Sequence, residues 1–183
     1  MDPTQISLFP VYTNSSAIIS DCLSYRYLLR RIWDDSLPPL VAGLLNPSTA
    51  DAETDDATIT RLVRRARHIG CGSVVVWNLC AFRSTEPKLL AHVPDSVGPQ
   101  NLYWVSSAIR DAISRKGSIM VGWGSHNVPS GILRQVRGLI ETSNASLLCL
   151  GVTKTGHPRH PLYISYETKF QPWDFTKLAI SEC

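Results

Sequence analysis

The 183-residue chain has no apolar run long enough to cross a bilayer, which takes about 20 consecutive apolar residues. Its opening, MDPTQISLFP, starts with an acid and lacks a basic stretch followed by an apolar core. No secretory leader is therefore expected, and the protein is placed in the cytoplasm. Paired cysteine motifs are missing as well. The five cysteines, Cys22, Cys71, Cys80, Cys149 and Cys183, are odd in number and contain no CxxC step. That argues against a disulfide framework, a zinc site or a four-cysteine iron–sulfur cluster. Reduced, mostly buried thiols are expected, with no metal and no cofactor. Strong charge of one sign is also lacking. A net charge of +3 permits nucleic acid as a partner without demanding it. There is no repeat, low-complexity block or linker, so residues 1–183 are expected to form a single monomeric domain. Residues 1–24 are expected to be an irregular segment with room for one short strand.

Four apolar runs are present: Leu40–Leu45, Ser73–Asn78, Ser118–Trp123 and Ser146–Gly151. Such runs suit strands buried on both faces of a parallel sheet. Tyr25–Trp33, rich in aromatics and Ile, suits a further strand. Between the runs lie helical patterns. In Thr58–Ile69, the residues Ile59, Leu62, Val63, Ala66 and Ile69 follow helical spacing. Arg61, Arg64, Arg65 and Arg67 then fall on the remaining surface, either as a solvated face or as a phosphate-binding one. Gln100–Arg115 and Ile132–Thr142 carry the same kind of pattern. The alternation predicts an α/β fold, a three-layer α/β/α sandwich around a central, mainly parallel four-stranded sheet.

In such sheets ligands bind beyond the carboxyl ends of the strands, which directs attention to four loops. The first is Asn46-Pro47-Ser48-Thr49-Ala50-Asp51. The Asn-Pro step fixes a tight turn, and the segment suits either a catalytic loop or a simple turn with a helix cap. In the second, Asn78 closes a run of valines, and its amide offers donors and an acceptor to a base edge, or else caps a turn. Arg83 follows, fit for a phosphate, a planar base or a surface ion pair. In the third, Gly122-Trp123-Gly124 implies close backbone approach, with Trp123 a stacking surface or a core residue and His126 an exposed loop residue. The fourth is Gly156-His157-Pro158-Arg159-His160-Pro161-Leu162-Tyr163. A neutral histidine there could donate a hydrogen bond to a leaving group, or the loop could be an ordinary surface turn. Asp51, Asp55 and Asp56 fit no standard metal spacing, and helix capping is the favoured reading.

Together NPSTAD, NLCAFRSTEPK, VGPQN, GWG and GHPRHPLY resemble an uncharacterised bacterial and phage family, a domain of unknown function. More distantly, the order of loops resembles the uracil-DNA glycosylase superfamily. The elements concerned are Gly43-Leu44-Leu45-Asn46-Pro47, then Asn78, Trp123-Gly124 and His160-Pro161. This resemblance implies a uracil-DNA glycosylase-like fold and cleavage of an N-glycosidic bond in DNA, with the base drawn out of the stack. Asn46 would position the attacking water, and His160, with His157 as the alternative, would donate to the departing base. Pro47, Ser48, Thr49, Asn78, Arg83, Trp123 and Tyr163 would contact the substrate, and Arg61, Arg64, Arg65 and Arg159 the DNA backbone. Uracil-specific members carry a tyrosine where this chain has Ser48, so room for a 5-substituted pyrimidine is expected, such as a modified base in phage DNA. That activity would serve defence against phage. The alternatives are an enzyme acting on free nucleosides or nucleotides and a non-catalytic module that binds modified bases.

Overall fold

A computed structural model describes residues 11–125 and 128–178. In chain order the elements are β1 (Asn14–Ile19), β2 (Arg26–Ile32), β3 (Pro39–Leu44), α1 (Ala57–His68), β4 (Ser73–Asn78), α2 (Asn101–Ser114), β5 (Ser118–Val121), α3 (Ser130–Ser143), β6 (Leu147–Cys149) and β7 (Gln171–Trp173). Short 3-10 turns occupy Pro87–His92, Pro161–Tyr163 and Phe175–Lys177. The fold is α/β, and the four apolar runs do become strands. β3 pairs in parallel with β4 and β5, and β5 with β6. The sheet itself is wider than the four strands expected. Among the described residues it is mixed and seven-stranded, in the order β1-β2-β4-β3-β5-β6-β7. The additions are antiparallel and lie at its margins: β1 and β2 on one side, β7 on the other. Marginal strands bury less side-chain surface and carry weaker apolar patterns, as in NSSAII and QPW. The one short strand allowed within residues 1–24 is β1, while residues 1–10 lie outside the described residues.

Alternation along the central strands sends side chains into two cores. Leu40, Ala42, Leu44, Val74 and Val76 meet Ile59, Leu62, Val63 and Ala66 of α1 on one face. Val41, Val75, Trp77 and Val121 meet Val105, Ile109 and Ala112 of α2 and Ile132, Val136 and Ile140 of α3 on the other. Helices therefore cover both faces of the sheet. Asp56 starts α1 by accepting a hydrogen bond from Ile59 N at 2.9 Å. Gly43 is required by contact: a Cβ there would lie 2.3 Å from the Trp77 indole. Cys71, Cys80 and Cys149 are buried thiols and Cys22 is exposed; Cys183 lies outside the described residues. Among the described residues no helix is long and apolar enough to cross a membrane.

Candidate functional site

The chain runs from β3 to β4 on one side and then returns to β5 on the other. β3 is therefore the point where the loops diverge, and a crevice is expected beyond its carboxyl end. Backbone bonds lace the loops there. Leu79 N donates to Leu44 O, Cys80 N to Leu45 O, and Ser84 N to Pro47 O. Asn46 completes the lock, its Nδ2 donating to Ser84 O at 2.7 Å and to Pro47 O at 3.1 Å. Both amide hydrogens are thereby committed, and Oδ1 is left as an acceptor of fixed orientation.

Beside this lock lies a pocket of about 130 Å³. Asn46, Ser48, Arg26, Asp56, Ser84 and His160 are among its lining residues. It adjoins an open cleft of about 460 Å³ that shares Ser48, Ser84 and Thr85 and adds Leu23, Thr49 and Arg83. The first loop, the second loop and the His-Pro loop thus converge as their positions at strand ends implied. Glycines bring the last of these in. Gly124, at φ +77, donates its N–H to Pro158 O at 2.8 Å. A Cβ on Gly122 would press on Pro161 and the Arg159 carbonyl.

The two histidines of that loop have separate places. His160 lines the pocket. Its Nδ1 accepts a hydrogen bond from Leu162 N at 3.3 Å, which places the ring proton of the neutral side chain on Nε2. His157 instead accepts from Trp123 Nε1 at 3.2 Å through its Nδ1. Burial holds its pKa below the ordinary value. Trp123 is 0% exposed and packs on Trp173 and Phe175 at ring-centre distances of 5.2 and 6.0 Å. It is a core residue rather than a stacking surface for a ligand.

Asn78 also departs from expectation. It is 1% exposed, roofed by Asn101, whose Nδ2 donates to the Asn78 and Leu79 carbonyls. Asn78 Nδ2 is buried without a hydrogen-bond partner, and the side chain does not line the pocket. It therefore cannot meet a base there. Tyr163 is 80% exposed, with its ring 6.2 Å from that of His160. Arg159 is exposed. His126 lies outside the described residues.

The arginines of α1 are largely spent on the chain itself. Arg65 is buried, and its guanidinium donates to the carbonyls of Ile164, Ser165 and Thr168. Arg61 donates to Ile164 O at 2.9 Å. Arg61, Arg64 and Arg65 gather around the Tyr166 ring at 4.5, 4.3 and 5.3 Å. Of these three, Arg64 remains exposed. Two of the acids, Asp51 and Asp55, are spent too. Asp55 pairs with Arg31 at 2.7 Å and accepts from Tyr12. Asp51 accepts from Glu53 N and Thr54 N, bonds that hold its carboxyl below the usual range.

β2 supplies what the sequence reading missed. Arg26 and Arg31 are buried. Arg31 donates to the Asp51 and Thr54 carbonyls, and Arg26 to that of Ala50. They pin the loop between β3 and α1 from beneath. Burial pushes the Arg26 pKa down to about 10, against the opposing pull of Asp56. The signal was present in RYLLRRI, since arginines on a strand between apolar neighbours must find internal partners.

Residues 26–162 match the family described as protein of unknown function DUF1643, and the chain belongs to that family. No curated protein and no solved structure matches it.

Proposed function

We propose that this member of a family of unknown function is a DNA glycosylase that hydrolyses the N-glycosidic bond of a 5-substituted pyrimidine and leaves an abasic site. One observation carries the reading: Asn46 and Ser48 of the first loop and His160 of the His-Pro loop line one pocket of about 130 Å³. A cavity of roughly 150 Å³ is known to hold one benzene ring, so the space suits a single heterocycle. The reading takes the fold as uracil-DNA glycosylase-like, on the order of its strand-end loops.

In this mechanism water attacks C1′ of the sugar while the bond to the base nitrogen breaks, its electron pair leaves with the base, and the proton released by the water ends on the departing base. Asn46 Oδ1 accepts from that water and positions it; an amide is no general base, so the contribution is orientation. His160 donates from Nε2 to a base oxygen as negative charge develops there. Ser48 borders both the pocket and the open cleft, which gives a 5-substituent a way out of the ring pocket. Two further features favour a base within DNA over a free nucleoside. Arg83 lies in the open cleft, where a phosphate would pass. Leu23, at φ 60 and 68% exposed, stands in the same cleft, and such apolar side chains can fill the gap a displaced base leaves.

The test is abasic-site formation on DNA carrying 5-substituted pyrimidines, with Asn46→Ala and His160→Ala alongside. Abasic product that disappears in both variants supports the reading. Full activity in both sinks the mechanism, and tight binding without product replaces it with a non-catalytic base-binding module.

A further inference from the structure

Arg26 has no part in the mechanism above, yet it lines the same pocket while being only 2% exposed. A guanidinium carries five N–H donors, and Arg26 commits one group, Nη1, to Ala50 O. Among the described residues it makes no ion pair within 4.0 Å. Its remaining donors are not sealed off but open onto the pocket, where a ligand can take them. Asp56 lines the pocket too, and is the carboxylate that acts most strongly on Arg26. Its Oδ1 is held by Ile59 N at 2.9 Å, which leaves Oδ2 for a ligand. The pocket therefore offers a cationic donor and a carboxylate acceptor that do not neutralise each other by contact. A phosphate would satisfy Arg26 and be repelled by Asp56, and an ammonium would do the reverse. A ring edge with a carbonyl beside an N–H satisfies both.

We infer that Arg26 and Asp56 are the specificity-determining pair of the pocket, Arg26 donating to a ring carbonyl and Asp56 accepting from the adjacent ring N–H. The ligand is then a pyrimidine carrying N3–H, and not one of cytosine type, whose N3 is a bare acceptor. This rests on the reading of the pocket as a base site but not on bond cleavage.

The probes are thymidine and 5-methyl-2′-deoxycytidine, which share the sugar and the 5-methyl group and differ only along this edge. In NMR titrations of the whole chain, thymidine binds about tenfold or more tightly, as a matched pair of hydrogen bonds to a base edge would give. Asp56→Asn keeps the helix cap, since Asn caps about as well as Asp. With its Oδ1 on Ile59 N, its amide nitrogen replaces Oδ2, a donor for an acceptor. The preference then inverts. Arg26→Gln weakens both ligands, because both carry O2. Equal binding by the unaltered protein overturns the inference. So does tighter binding of the cytidine, no binding of either, or an unchanged preference in a folded Asp56→Asn protein. Nucleoside discrimination without abasic product would sink the glycosylase reading alone. Abasic product formed equally from both base types would sink this inference alone.

Discussion

Two polar regions of the molecule lie at opposite ends of α1, and they differ in what their hydrogen-bonding groups have left to give. Toward the carboxyl end, Arg65, and Arg61 one turn before it, are committed to backbone carbonyls of residues 164–168. At the amino end, Asn46 keeps Oδ1, Asp56 keeps Oδ2 and Arg26 keeps most of its donors. The first region looks more like a binding face in the sequence, because four arginines fall within seven positions there. Arg61 and Arg65 are scaffold instead, and Arg64 and Arg67 line a wider, open pocket of about 920 Å³ beside them. Unspent hydrogen-bonding capacity along a pocket, rather than density of charge, marks the better candidate site, since buried polar groups are ordinarily satisfied.

The largest expected effect separates the two ends by activity. His160→Ala should lower kcat about 10²- to 10³-fold, the usual scale for losing one donor aimed at developing charge. Asn46→Ala should do likewise, and also lower stability by about 1 kcal/mol through the lost bond to Ser84 O. Single-turnover abasic-site assays with thermal melting as a control read both. Comparable losses from Arg61→Ala would break the comparison. Next comes stability at the scaffold end. Arg65→Ala removes a buried guanidinium that serves three carbonyls and should cost about 3 kcal/mol. In a domain of this size that is roughly a 10 °C fall in Tm. An unshifted melt would show that residues 164–168 do not depend on Arg65.

A smaller effect sharpens the contrast between the two histidines. Burial keeps the His157 pKa below its ordinary 6.5. The unfolded chain therefore takes up this proton at a higher pH than the folded one. The contribution is complete above about pH 6.5 and is lost as pH falls through the folded value. Protonation at Nδ1 would also end its bond from Trp123 Nε1. Urea midpoints followed by tryptophan fluorescence should fall on acidification, and His157→Asn should flatten that slope. A slope unaltered by the substitution would assign it to other groups.

The central strands and the helices were legible because their patterns are local: a mixed apolar run for β3, a valine run for β4, and 3.6-residue spacing for α1. β1 and β7 were weaker because edge strands bury one face or little of it. The loops of the site were found by their position after strands, and Asn46, Ser48 and His160 do come together. Arg26 was not found because its role depends on which loop lies over β2, a contact between residues 24 positions apart in sequence. Asn78 and Trp123 were misplaced for a related reason. Both stand at strand ends, as expected, but α2 and the C-terminal aromatics close over them. Sequence position gives the strand end; only packing decides whether it stays open.

Arg64 gives the smallest effect and the finest cut between scaffold and surface. It is the member of the row that is exposed while sharing the Tyr166 ring, at 4.3 Å. Losing one exposed cation–π contact costs about 0.5–1 kcal/mol at most, so Arg64→Ala should barely move the melt. Binding is the more telling measurement. If DNA runs from the pocket along α1, Arg64 neutralises one phosphate, and the slope of log affinity against log salt should fall by about 0.9 in the variant. The same measurement on Arg65→Ala, corrected for its folded fraction, should leave the slope unchanged, because a guanidinium committed to three carbonyls releases no counterion. Equal slopes for Arg64→Ala and the unaltered protein would confine the DNA path to the open cleft beside Arg83.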